Sequence, residues 1–383
     1  MKRVAFDLVS AQPSIDSKFH GGGEYIKAVF ERIISRHQGK DAEVIAIYSP
    51  DTFIDEWILD LFKEKNIATV TVKNCDEMYE KLISGEIACD VFYTGGHIIY
   101  DIGKIPAGVQ KICTIHDMRD YEEPVDNFSY IYYDSVKDKI KQRGKFARNE
   151  YLKQRNLQRY RDFITGCDKI ICVSEHTRYM VTSTLPECRD KIAGVYYTPS
   201  KHLVDPQPIE GFNEKDYLLI VSANRWIKNS YRAVRALDKL YDNKLLSEKT
   251  VVVGGFSKGI SDIVRNKEMF VTLPYVKSEE LEYLYENCKL FIYPTLNEGF
   301  GMPPLEAMRY GKTCVISAIC SLTELYAGSV YLFNPYSLDE MSAHILMAVE
   351  NPIDKNVIDE TYKAITTRQE KDLDAVADMI AGQ

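Results

Sequence analysis

The segment Leu290-Phe-Ile-Tyr293, followed by Pro294-Thr-Leu-Asn-Glu-Gly-Phe-Gly-Met-Pro-Pro-Leu-Glu306-Ala-Met-Arg-Tyr-Gly311, joins an apolar strand to a helix through a glycine-rich turn. Gly299 and Gly301 let the backbone of that turn approach a ligand closely. Pro303 or Pro304 suits the first turn of the helix, and Gly311 suits the position just past its end. A helix N-terminus presents free N–H groups and a partial positive charge, which suits a diphosphate. Glu298 stands before the turn and Glu306 inside the helix. A carboxylate accepts hydrogen bonds from the diols of a sugar or a ribose. Taken by itself, a Glu in a first helical turn is also an ordinary dipole-stabilising choice, so the pattern alone leaves a purely structural role open.

The same strand–turn–helix rhythm runs along the 383 residues. Strands are predicted at 4–8, 43–48, 68–72, 91–93, 111–115, 169–173 and 192–196, and, in a second series, at 217–221, 250–253, 269–272, 290–293, 313–317 and 330–333. Helical patterns fill most of the gaps, as in βαβ units with parallel sheets. The stretch Thr198 to Asp216 carries Pro199, Pro206 and Pro208 without periodicity and reads as an interdomain linker. The expected organisation is an N-terminal Rossmann-like domain over 1–200, holding a basic and aromatic insertion at 125–165 (one long helix or two), a second such domain over 201–360, and a C-terminal helix over 361–383 packed on the first. Two parallel-sheet domains facing across a cleft is the simplest α/β architecture, and residues just after strands are then the ones near ligand.

Composition sets further bounds. Apolar residues make up 45% and charged residues 27%, the balance of a chain able to bury real cores. No apolar run approaches the roughly 20 residues that span a bilayer, and Asp7 interrupts any signal-peptide core, so a cytoplasmic location is expected. The nine cysteines are scattered without a C-x-x-C pair, which predicts reduced thiols and neither a disulfide framework nor a zinc site. A net charge of -8 argues against nucleic acid as a partner. Yet Ser135 to Arg161 holds ten Lys or Arg against Asp138 and Glu150. That stretch is either a solvated helix face or a surface that docks on anionic lipid or an anionic acceptor.

The string Glu298-Gly-Phe-Gly-Met-Pro-Pro-Leu-Glu306-Ala-Met resembles the E-x7-E signature of the retaining family 4 glycosyltransferases of GT-B fold, and the resemblance extends over most of the chain. It implies that Glu298 contacts the donor sugar near the reacting carbon, that Glu306 binds the ribose hydroxyls, and that the backbone of Gly299, Phe300 and Gly301 lines sugar and phosphate. Leu273-Pro-Tyr275-Val276 is similar to the family's strand and turn that hold the nucleobase, with Pro274 where a glycine is usual. Arg225 and Lys228, in Ser222-Ala-Asn-Arg-Trp-Ile-Lys-Asn229, match the cations the family aims at the diphosphate. A leaving nucleoside diphosphate gains charge that nearby cations stabilise. In the first half, Gly22 and Gly23 of His20-Gly-Gly-Gly-Glu-Tyr25 match a loop that touches donor phosphate or acceptor, and His116 of His116-Asp117 matches a histidine that contacts the donor sugar. Read from its residues alone, a strand-end His-Asp pair is open to base chemistry, a metal or, more often than either, a capped strand. Ser174 caps a helix on either reading.

The activity implied is retaining transfer of a hexose or deoxyhexose, mannose- or rhamnose-like, from a nucleoside-diphosphate sugar to a saccharide or lipid-linked saccharide, as in bacterial surface polysaccharide synthesis. No cofactor or metal is expected, since Asp372-Leu-Asp374, the one D-x-D, falls in a helical C-terminal segment and reads as a solvated face. A GT-B nucleotide-sugar epimerase and an inactive sugar-nucleotide-binding protein are the alternatives.

Overall fold

The computed structural model describes residues 1–13, 21–96, 102–123, 125–201 and 203–383. Its chain divides into two compact units, one of 1–118, 155–201 and 366–383, the other of 119–154 and 202–365.

The first unit holds seven strands: β1 (Lys2–Asp7), β2 (Ala42–Tyr48), β3 (Ala68–Thr71), β4 (Val91–Thr94), β5 (Gln110–Ile115), β6 (Lys169–Cys172) and β7 (Ile192–Val195). They form one sheet in the order β3-β2-β1-β4-β5-β6-β7, with parallel neighbours throughout. The second unit holds β8 (Leu218–Ile220), β9 (Thr250–Val253), β10 (Phe270–Leu273), β11 (Leu290–Tyr293), β12 (Thr313–Ser317) and β13 (Tyr331–Phe333). Their order is β10-β9-β8-β11-β12-β13, again all parallel. Both are the doubly wound Rossmann arrangement, in which strand order reverses beside the first strand. Every strand lies where the apolar runs predicted it, within two residues at each end. Central strands buried on both faces read as nearly unbroken Val, Ile and Leu. In the second unit Leu218, Ile220, Val252, Leu290, Ile292, Val315 and Phe333 share one core with Leu237 and Ile345 of the flanking helices.

The insertion differs from expectation. It contains two helices, Val136–Phe146 and Asn149–Gly166, but residues 119–154 belong to the second unit. Tertiary bonds that sequence adjacency hides hold them there. Asp126 and Arg232 form a buried ion pair at 3.0 Å. The Tyr132 hydroxyl accepts from the Tyr231 N–H at 2.8 Å, Ser257 donates to the Ile131 carbonyl at 2.7 Å, and Phe128 stacks on Tyr231 at 4.6 Å between centroids. The aromatic half of the insertion is thus a structural clamp.

The C-terminal helix runs over Lys355–Ala381, and Thr366–Gln383 belongs to the first unit. Asp372 and Asp374, expected as a solvated face, are instead paired within the first unit. Asp374 pairs with Arg32 and, at 3.3 Å, with Arg36. Asp378 accepts from His37 at 2.7 Å, and Asp372 accepts from the Tyr197 N–H at 2.8 Å. These acids bond the helix Gly21–His37 and the backbone after β7, leaving Leu373, Val376 and Ile380 to bury their side chains. Thr198 to Asp216 contains no helix or strand among the described residues. The cysteines are free thiols, and burial pushes those at Cys172 and Cys288 up to about 12.

Candidate functional site

β8 and β11 are neighbours at the point where the second sheet reverses direction, so the segments following them, Ser222–Asn229 and Pro294–Gly301, emerge side by side. Backbone bonds knit the two together. The Leu296 N–H donates to the Ile227 carbonyl at 2.8 Å, and the Thr295 hydroxyl oxygen lies 3.1 Å from the same carbonyl. Asn229 donates its amide protons to the carbonyls of Pro294 and Pro335 at 2.9 and 3.0 Å. It does so from a left-handed backbone at φ 57°, a conformation Asn tolerates better than most residues.

That fixed pair of loops brings Lys228 to Glu298. Glu298 Oε1 accepts from Lys228 Nζ at 2.5 Å, from the Tyr293 hydroxyl at 2.7 Å and from the Thr295 hydroxyl at 2.8 Å. Lys228 also donates to the Tyr293 oxygen at 2.6 Å. The two charged side chains are 11% and 15% exposed, so their opposite charges interact in a medium of reduced dielectric. Burial by itself raises the Glu298 carboxyl, but the Lys228 ammonium and the hydrogen bonds outweigh it and hold the group below its ordinary range. Burial pushes the Lys228 ammonium down. Glu298 opposes that shift and Arg225 adds to it.

Arg225 itself is exposed, and its guanidinium makes no hydrogen bond or ion pair among the described residues. Lys228 and Glu298 cancel one another, so the positive charge left beside them is that of Arg225 and of Arg119, both of which act on Lys228. The sequence pairs Arg225 with Lys228 as two cations for one anion. In the structure Lys228 is already engaged by Glu298, and Arg225 is the one free to reach a ligand.

The turn 298–301 is held by its carbonyls. The one Ser321 hydroxyl proton is within reach of the carbonyls of Phe300 and Glu298, at 2.9 and 3.1 Å, and Tyr326 donates to that of Gly301 at 2.7 Å. Gly301 sits at φ 93°, and a Cβ there would lie 2.2 Å from Leu322 Cδ2, so only glycine fits. The helix that follows, Met302–Met308, has seven residues. Gly311 lies beyond its end in left-handed backbone at φ 67°, as its place in the sequence requires. Glu306 Oε2 accepts from the Tyr285 hydroxyl at 3.0 Å. Tyr275 is 71% exposed beside the buried Val276, and the Gly254 N–H donates to the Leu273 carbonyl at 3.0 Å, tying the end of β10 to that of β9.

The first unit carries the remaining residues. His20 lies outside the described residues. Gly22 and Gly23 open the helix Gly21–His37, whose Tyr25 meets the His116 ring edge to face at 4.9 Å. His116 Nε2 lies 2.8 Å from the Gly95 carbonyl, an acceptor, so the neutral ring carries its proton on Nε2. Ser174 does cap its helix, accepting from the Thr177 N–H at 3.1 Å. At the ends of β1 and β4, the buried Asp7 accepts from the Ser10 hydroxyl at 2.5 Å and the Thr94 hydroxyl at 2.7 Å.

The second unit therefore assembles Arg225, Lys228, Glu298, Gly299, Phe300 and Gly301 on adjacent loops, with Glu306 in the helix that follows, and the first sets His116 beside the helix that Gly22 and Gly23 begin. Sequence reasoning missed Tyr293, Thr295 and Asn229. Two of these stand within five residues of Glu298, and a hydroxyl at a strand end next to an acid was the available signal.

Residues 205–368 match the family model described as Glycosyl transferases group 1. The O-antigen chain mannosyltransferase B of Escherichia coli is 38% identical over 95 residues, 25% of this chain and 23% of that protein. The O-antigen chain mannosyltransferase RfbU of Salmonella typhimurium is 24% identical over 234 residues, 60% of this chain and 58% of its own length. The chain thus aligns with about a quarter of the first relative and over half of the second. Among solved structures, Anabaena HepE in complex with UDP-glucose superposes with a TM-score of 0.65 at 14% identity, covering 100% of this chain and 99% of that one, which establishes the GT-B fold.

Proposed function

We propose that this chain, a GT-B fold protein with a group 1 glycosyl transferase domain at 205–368, moves a hexose from a nucleoside-diphosphate sugar to a saccharide or lipid-linked saccharide. The observation that carries this is the buried Lys228–Glu298 pair with an exposed Arg225 beside it that makes no ion pair among the described residues. Such a corner offers net positive charge and a fixed ammonium to a diphosphate, and acceptor oxygens to sugar hydroxyls. The names of the similar O-antigen enzymes favour a mannose-like sugar and bacterial surface polysaccharide as the product.

The reaction proposed is retaining. The bond from the anomeric carbon to the phosphate oxygen breaks, and its electron pair leaves with the diphosphate. The acceptor hydroxyl oxygen bonds to the same face of that carbon, and its proton passes to the departing phosphate oxygen. Arg225 stabilises the charge that develops on the phosphate, a contribution of about 3 kcal/mol for one well-placed donor. Lys228 is the second cation near it. Glu306 takes the ribose diol, Tyr275 and Val276 border the base, and Gly299 to Gly301 line the sugar by their backbone. The first unit offers His116 and the Gly22–Gly23 turn for hydrogen bonds to substrate. With side-chain cations at the phosphate, transfer needs no divalent metal and persists in excess chelator. A thermal-shift screen against GDP-, UDP- and dTDP-sugars tests the reading, since a ligand of the folded state raises Tm. A rise with GDP-mannose supports it, and no rise with any of the three classes refutes it.

A further inference from the structure

We propose that the helix Val136–Phe146 is a docking surface for an anionic lipid bilayer. It belongs to the second unit, where it packs on the aromatic segment Ser129–Tyr132. Gln142 is buried on the anchored side, at 5% exposure. Val136 and Ile140, one turn apart and so on one face of the helix, are 71% and 67% exposed on the other. Single exposed apolar residues are ordinary. Two forming a ridge at the outward pole of a helix, flanked by cations, are a different matter. On a helical projection Lys137 and Lys141 border the ridge on one side and Arg143 on the other. All three are exposed, and none forms an ion pair with an acid among the described residues. Arg143 is held over the Tyr130 ring at 4.1 Å.

An aqueous role explains the lysines but not the ridge. A protein partner would explain the ridge, but it would have to match a strip one helix wide edged by cations. A bilayer interface accounts for both. Apolar side chains enter the boundary between headgroups and acyl chains while long basic side chains remain at the headgroups. The chain as a whole is acidic, at -8, so this attraction is local to the helix and requires an anionic surface. The structure also sorts the basic segment. Lys139 and Lys145 lie on the half-buried flank, and the lipid-facing cations are Lys137, Lys141 and Arg143.

The test is co-sedimentation of the full chain with vesicles of phosphatidylcholine alone or mixed with phosphatidylglycerol. The wild type is expected to bind only the mixed vesicles, with binding that falls as salt rises. The double variants Val136→Asp/Ile140→Asp and Lys137→Glu/Lys141→Glu should each lose roughly tenfold or more of that binding. The control Lys63→Glu/Lys65→Glu, on the first unit, should keep it. Unchanged circular dichroism and melting show that the variants fold. Equal binding to both vesicle types, no binding by the wild type, or wild-type binding by either helix variant would overturn the proposal. So would a dimer of the wild type that the Val136→Asp/Ile140→Asp variant converts to monomer, which would give the ridge to a second copy.

Discussion

Lys228 Nζ lies 2.5 Å from Glu298 Oε1, although 70 residues separate the two in the chain. Removing either partner strands a buried charge, a loss of roughly 3–5 kcal/mol. Lys228→Met is therefore expected to lower the urea midpoint steeply, and Lys228→Met/Glu298→Gln to recover most of the loss. Equal stability of the single and double variants would contradict this.

The same pair sets an acid limit. The folded protein holds the Glu298 carboxyl below its ordinary value of 4.5. The group's contribution to stability is thus complete above about pH 4.5 and is lost as pH falls through the lower folded value. Between pH 5 and 3 the wild type should lose more unfolding free energy than Glu298→Gln. Parallel curves would argue against the shift.

Arg225 separates function from stability. Its side chain is exposed and unpaired among the described residues, so Arg225→Ala should alter stability by no more than about 0.5 kcal/mol. Turnover of the nucleotide sugar should nevertheless fall about a hundredfold or more. Arg225→Lys should recover only part of it, since a point charge replaces a bidentate fork. A variant that melts early and turns over normally would refute the assignment.

Gly301 tests the turn. A methyl group there meets Leu322 at 2.2 Å and leaves an L-residue at φ 93°. Gly301→Ala should destabilise by about 1–3 kcal/mol, and adding Leu322→Ala should remove the clash while leaving the backbone cost. Full recovery in that double variant would mean that φ is not constrained.

Asp126→Ala should loosen the insertion, because Arg232 is then buried without its partner. Hydrogen exchange over 125–146 should quicken while β1 to β7 remain protected. Uniform quickening over the chain would show that the clamp is not local.

The strands were legible because unbroken apolar runs between turn residues have few other solutions. The turn at 299–301 was legible because its glycines and prolines act locally. What sequence hides is pairing at long range. Asp126 reveals nothing of Arg232, 106 residues away, so the insertion reads as part of the domain whose strands enclose it. Asp372 and Asp374 look like solvated acids until the helix Gly21–His37 and Tyr197 are set beside them. Glu298 reads as a carboxylate open to sugar, whereas one of its oxygens already accepts from Lys228, Tyr293 and Thr295.

Calorimetric titration of GDP, UDP and dTDP into the wild type, Arg225→Ala and Glu306→Ala tests the central claim most directly, that the second unit holds a nucleoside diphosphate beside the Lys228–Glu298 pair. One nucleotide should bind the wild type saturably, with affinity falling about tenfold or more in Arg225→Ala, as for loss of a charge-assisted hydrogen bond, and falling also in Glu306→Ala. Equal affinity in all three proteins, or binding of none of the nucleotides by the wild type, would contradict it.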